Sequence, residues 1–173
     1  MGAGVLPTTI YNNKLYFLFG KENKFADTPG WSDFGGGTDP GETFMKTAIR
    51  EGGEELTGFL GNEKEITNLL KKSYTIDHDT YREHIIVLPY NPFLSKYYNN
   101  NQQFLQQRLD PKIIKNSKIF EKCEIRWVCI DDFKNIKFRP YYNNIIALIK
   151  EQQYDIDKFV RANLKKSKTR KLL

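Results

Sequence analysis

Two β-rich runs, joined at Asn12-Asn13, make up the stretch TTIYNNKLYFLFG from Thr8 to Gly20. Alternation interrupted by such a pair predicts a β-hairpin. Residues 21–34 lose the periodicity, contain Pro29-Gly30, and read as a loop leading through Trp31 and Phe34 into Gly35-Gly36-Gly37. From Thr43 to Thr57 the period becomes helical, with Met45, Ala48, Ile49, Gly52 and Leu56 forming one stripe for burial. Gly58 then stands where a helix C-cap belongs. The run ITNLLKKSYTID fits neither period, whereas YREHIIVLPY reads as a strand ending at Pro89. Residues 92–118 are rich in Asn and Gln, with Phe93, Tyr97, Phe104, Leu105 and Leu109 as scattered anchors. They read as an insertion containing some helix and otherwise filler. EKCEIRWVCI is another strand. Pro140 opens a last helix whose stripe of Ile145, Ile146, Ile149 and Tyr154 is expected to dock on the sheet. The fold class this predicts is α/β, one mixed unit over residues 1–164, followed by a basic, disordered tail at 165–173.

Composition narrows the class. A chain of 173 residues can bury a real core as one domain, and 28% charged residues fit a soluble one. No apolar run approaches the ~18 residues of a membrane span. The N-terminus has neither the basic n-region nor the apolar stretch of a secretory signal, and Leu6 stands where a myristoylation site has Ser or Thr. Cys123 and Cys129 share a strand and would lie ~20 Å apart on one face, too far for a disulfide. A reducing compartment is expected, and the cytoplasm is the simplest location. Two histidines, His78 and His84, and no CxxC argue against zinc. Of the net charge of +6, the run KKSKTRK at 165–171 holds five positive charges, which leaves the body nearly neutral. Such a tail is a solvated end or a contact for RNA or another polyanion.

The chemistry concentrates in GGGTDPGETFMKTAIREGGEELTGF, residues 35–59. On a helix, Glu51, Glu54 and Glu55 share a face, set apart from the apolar stripe and so expected to point away from the core. Carboxylates crowded together without histidine or thiolate make a hard oxygen-donor site suited to Mg²⁺ or Mn²⁺. The glycines let backbone approach the same place, and a glycine carbonyl can serve as a further ligand. The alternative is an acidic face in water, with Arg50 paired to Glu54.

The spacing of this run resembles the Nudix box. Gly36 is followed after five residues by Glu42, then after seven by Arg50-Glu51, and after Gly52-Gly53 by Glu54-Glu55. Two features depart from the box: Gly52 replaces a bulky aliphatic residue, and Leu56-Thr57 puts two residues rather than one before the closing glycine. Something else, such as an aromatic, must then close the packing beneath Gly52. The resemblance implies a Nudix-like α/β/α sandwich with a mixed sheet. It implies Glu51, Glu54 and Glu55 as Mg²⁺ or Mn²⁺ ligands, joined by the Gly35 carbonyl. Arg50 is then the residue that orients Glu51, and Glu42 supports the loop. The implied reaction is hydrolysis of a pyrophosphate linked to another moiety. One carboxylate must accept a proton from water. Glu51 is one candidate, and Glu121 and Glu124, at the EIRWV strand, are the others, with Glu121 favoured.

The box reads pyrophosphate and leaves the substrate open. Trp31 and Phe34 are candidates to stack on a base, or are core. Tyr81 and Arg82 are expected near the cleft. The basic tail and the Asn-, Ile- and Tyr-rich style resemble the Nudix mRNA-decapping enzymes of large DNA viruses, which implies capped RNA as substrate and partner. The alternatives are a free nucleotide, such as a damaged triphosphate or dinucleoside polyphosphate, a diphosphoinositol polyphosphate, or a Nudix-fold protein that only binds RNA or nucleotide.

Overall fold

The computed structural model describes residues 1–117 and 120–170, the last six of these as backbone only. The hairpin forms as its sequence predicts. Strand β1 (Gly2–Tyr11) turns into β2 (Lys14–Glu22) through Asn12 and Asn13, both at positive φ, 46° and 62°. Asparagine tolerates that left-handed geometry, which matches the twist of the strands. Short strands β3 (Trp31–Ser32) and β4 (Phe34–Gly37) follow, then β5 (Tyr74–His78), β6 (Tyr81–Val87) and β7 (Lys122–Cys129). The sheet runs β3-β2-β1-β6-β5, with β4 paired to β1 and β7 to β2. The β1–β6 pair is parallel and the other pairs antiparallel, so the sheet is mixed.

Both faces of the sheet are covered, which makes an α/β/α sandwich. On one face Leu6, Phe17, Phe19 and Ile85 pack under α5 (Asn143–Glu151) and α6 (Gln153–Arg170). The opposite face carries Ala3, Val5, Leu18 and Ile125 under α1 (Phe44–Glu55), α2 (Glu63–Leu70) and α3 (Pro92–Arg108). Alternate β1 side chains thus serve two cores, as a period of two requires. Among the described residues no helix is long and apolar enough to cross a membrane.

Several elements differ from the sequence reading. The ambiguous ITNLLKKSYTID divides into α2, opened by a reciprocal Asn62–Glu65 capping box, and β5. The terminal helix breaks after Glu151, so Tyr154 is 78% exposed and Ile156 and Val160 continue the buried stripe instead. Helix α6 carries the backbone of the basic run as far as Arg170. The side chains from 165 onward and residues 171–173, with the expected disorder of the tail, lie outside the described residues. Gly58 follows the C-cap by two positions: Thr57 takes the left-handed site at φ 51°, and Gly58 N–H donates to the Gly53 carbonyl over 2.9 Å.

Residues 92–117 are not filler. They form α3 and then α4 (Pro111–Asn116). The Asn99 amide pairs with the Ile125 backbone, donating to its carbonyl over 3.0 Å and accepting from its N–H over 2.7 Å, so a side chain continues the β7 ladder. The buried Tyr98 hydroxyl donates to the Glu55 carbonyl over 2.8 Å. The segment therefore fixes both the strand and the helix end that border the site.

His84 on β6 is buried, with Nδ1 2.9 Å from Ser73 Oγ. Burial and the nearby Arg82 charge push its pKa from 6.5 down to about 4. As pH falls below 6.5 the unfolded chain takes up this proton first, so the contribution of His84 to stability is present above that pH. It is lost between about 6.5 and 4, up to about 3 kcal/mol. Urea unfolding at pH 7 and pH 4.5 is expected to show a smaller acid loss for His84→Gln than for the wild-type chain.

Candidate metal centre

Helix α1 begins at Thr43, whose side chain accepts from the Lys46 N–H, and the box residues follow on its inner face. Contrary to the sequence reading, the acidic face is not turned to solvent. Glu51 is 4% and Glu55 2% exposed, because β4 and β7 close over them. Gly52 makes this approach possible: a Cβ there would come 3.0 Å from Val5 Cγ2, so β1 and Leu60, rather than an aromatic, fill the space beneath it. Gly36 does the same from the other side, where a Cβ would lie 2.5 Å from Glu51 Oε1.

Arg50 reaches Glu51, Glu42 and the glycine strand at once. Its Nη1 donates to Glu51 Oε1 over 2.6 Å, Nε and Nη2 hold both Glu42 oxygens at 3.0 Å, and Nη2 also reaches the Gly37 carbonyl at 2.9 Å. One guanidinium thus ties the glycine strand to the helix and aims Glu51. In return it holds the Glu42 carboxyl down at about 2.

Glu51 and Glu55 meet Glu121, at the start of β7, with one oxygen from each within 4.8 Å of the others. They line a cleft of about 460 Å³ that also includes Gly35, Gly36, Tyr81, Arg139 and Tyr141. Glu54 is not in this cluster. Its side chain is 34% exposed, and its buried Oε2 lies 3.7 Å from Arg50 Nη1 without a hydrogen bond. Glu124 is engaged on the surface with Arg126 and Lys21. Phe34 has no exposed surface to offer a base. Trp31 is packed into the core, with Arg126 4.9 Å above its ring. Tyr81 lines the cleft, while Arg82 is paired with Asp77.

Sequence reasoning missed the charges behind the cleft. Lys122 has no exposed surface. It donates to Glu22 and Ser32 and lies 3.4 Å from Glu55 Oε1. Asp33 and Glu83 are both buried, and burial raises both carboxyls. Tyr81 donates to Asp33 over 2.5 Å and Tyr142 to Glu83 over 2.6 Å. No periodicity marks these positions, since each is a polar residue placed where a strand pattern calls for core. Tyr141, 46% exposed under the Arg139 guanidinium at 4.8 Å, is the accessible aromatic of the cleft. The aromatic pair after Pro140 was the available signal.

The donor set fits a divalent cation. Carboxylates this close repel unless a cation lies among them. The buried Glu55 Oε2 has no hydrogen-bond partner, and burial raises the Glu55 carboxyl well above its usual range. All three side chains offer hard oxygen.

Comparison with known proteins agrees with this geometry. The NUDIX domain family profile matches residues 3–149. The chain therefore belongs to the NUDIX family, and its class is that of the Nudix pyrophosphohydrolases. Among solved structures it is similar to a Nudix hydrolase from M. smegmatis, RenU, at 14% identity, with 90% of this chain and 87% of that one covered and a TM-score of 0.54. A C. elegans Ap4A hydrolase shares 16% identity over 90% of this chain and 98% of its own, at a TM-score of 0.51. The NUDIX domain of Shewanella oneidensis NrtR, solved with ADP ribose, shares 10% identity over 88% and 86%, also at 0.51. Likeness at these identities concerns the fold. A comparison with curated protein sequences gave no match.

Proposed function

We propose that this cleft hydrolyses a pyrophosphate linkage in a nucleoside diphosphate joined to another moiety, with the 5′ cap of mRNA as substrate. The observation that carries the reaction is the convergence of Glu51, Glu55 and Glu121 at the cleft wall, with Arg50 holding Glu51. Those three carboxylates would hold Mg²⁺ or Mn²⁺, and the Gly35 carbonyl is a further ligand candidate at the same wall. Such an ion, when bound, polarises phosphoryl oxygens and lowers the pKa of water. Glu121, the least buried of the three, accepts the proton from the attacking water and passes it to solvent. Arg139 faces the phosphates and Tyr141 offers a ring for the base.

Capped RNA is favoured over a small nucleotide by the exposed face of helix α3. Helix α3 exposes Phe93, Tyr97 and Phe104 along one side, with Lys96 and Arg108 exposed nearby, a combination suited to stacking and phosphate contact. The basic run near 165–171 would add to that attraction. The second reading is a free nucleotide, for which the similarity to an Ap4A hydrolase and to an ADP-ribose-bound domain speaks. The three glutamates at the cleft wall are the opposite of the basic cleft a diphosphoinositol polyphosphate requires. They are equally unsuited to simple binding of RNA or nucleotide, because crowded carboxylates repel phosphate.

A panel of cap-labelled RNA, free cap analogue, Ap4A and ADP ribose, each with Mn²⁺, tests the assignment. Release of methylated guanosine diphosphate from RNA, with Glu121→Gln slowed about 10²–10⁴-fold and holding Mn²⁺ less tightly for the loss of one of three carboxylates, is the expected result. Cleavage of the free nucleotides alone would replace it with the second reading.

A further inference from the structure

The position of Lys122 is built by the backbone. In the β2–β7 register it stands opposite Glu22, at the irregularity that follows Lys21. Gly20 clears a path for its stem, since a Cβ there would come 2.9 Å from Lys122 Cδ. The ammonium, itself without exposed surface, then meets Glu22 Oε1, Ser32 Oγ at 3.0 Å and Glu55 Oε1 at 3.4 Å, all on buried residues. Arg139 donates to the same Glu22 oxygen over 2.8 Å. A fully buried charge persists only where opposite charge surrounds it.

We propose that Lys122 is a permanent cation of the site, filling the position between Glu22 and Glu55 that a second divalent ion would otherwise take, so that the resting cleft holds one. This rests on the reading of Glu51, Glu55 and Glu121 as a metal site. Lys122 lies between Glu22 and Glu55, and Arg139 meets the same Glu22 oxygen, so the oxygens that face the cleft for an ion are those of Glu51, Glu55 and Glu121. A second ion approaching Glu22 and Glu55 in the resting cleft would meet the Lys122 ammonium already there.

Counting bound Mn²⁺ by electron paramagnetic resonance on substrate-free protein tests this, with circular dichroism to follow folding. The expected result is one ion per wild-type chain and two per Lys122→Ala chain, the second disappearing when Glu22→Gln is added. The Glu22→Gln/Lys122→Ala chain removes both charges of the pair, so it is expected to stay folded with one ion even if Lys122→Ala alone folds only with Mn²⁺. Two ions on the wild-type chain, or a Lys122→Ala chain that holds one or stays unfolded in saturating Mn²⁺, overturn the proposal. No ion on the wild-type chain overturns it together with the metal-site reading, so the two failures are distinguishable.

Discussion

Replacing Glu51 by Gln is expected to slow pyrophosphate hydrolysis more than about 100-fold while the chain stays folded. About 10–100-fold is what losing an outer partner of a metal ligand costs, and Glu51 belongs to the donor set itself. Its position is fixed on every side: Arg50 donates to it over 2.6 Å, Gly36 makes room for its carboxylate, and Glu55 and Glu121 face it. Arg50→Lys, which cannot fork to Glu42 and Glu51 together, is expected to fall within that 10–100-fold range. Glu54→Gln is the informative contrast. Glu54 lies outside the cluster and near Arg50, so its loss is expected to lower the rate by less than about 10-fold. Steady-state kinetics on the purified variants, with melting temperatures beside them, measure all three.

The three consecutive glycines of β4 are expected to respond in three different ways to alanine. At Gly35 a Cβ would lie 2.5 Å from Gly4 Cα and 2.7 Å from the Ala3 carbonyl oxygen, so two paired strands must separate. Overpacking against backbone is expected to destabilise the chain by about 3 kcal/mol, a melting shift of roughly 6–12 °C. At Gly36 the obstacle is the end of the Glu51 side chain, 2.5 Å away, rather than backbone, and displacing it breaks its contact with Arg50. Stability is then largely kept, but a displacement of this size at the reacting centre is expected to cost about 10²-fold in rate. At Gly37 nothing lies within 4 Å, and the alanine variant is expected to match wild type in both respects. The same triplet would thus separate fold from chemistry residue by residue. Equal melting losses at all three positions would contradict the packing described here.

Much of this architecture was legible because it depends on local rules. Asn12-Asn13 specified the hairpin turn, and the spacing from Gly36 to Glu55 specified the helix and the Arg50–Glu51 contact, whereas the loop expected before the helix holds β3 and β4. What could not be read were charges that tertiary structure carries into the core. Lys122 occupies a strand position with the same local pattern as the exposed Arg126, and only its pairing opposite Glu22 buries it. Glu121 joins the α1 glutamates across 66 or more residues of chain, and the choice between it and Glu124 depended on where β7 starts relative to the cleft. Trp31 and Phe34 were attractive as stacking residues because they precede the glycines, yet β3 and β4 turn them into the cores. The accessible ring, Tyr141, follows a proline far along the chain. Asn99 and Tyr98 sit in a segment whose composition suggests filler, and their value lies in partners on β7 and α1.

The central claim is that Glu51, Glu55 and Glu121 together hold the working divalent ion. Crystals soaked in Mn²⁺ and measured for anomalous scattering address it directly. The account predicts a peak bounded by carboxylate oxygens of those three residues, absent from Glu51→Gln crystals treated in the same way. A peak held instead by Glu54 and Asp39 on the outer side of Arg50, or hydrolysis by crystals in which the cleft carries no peak, would contradict it.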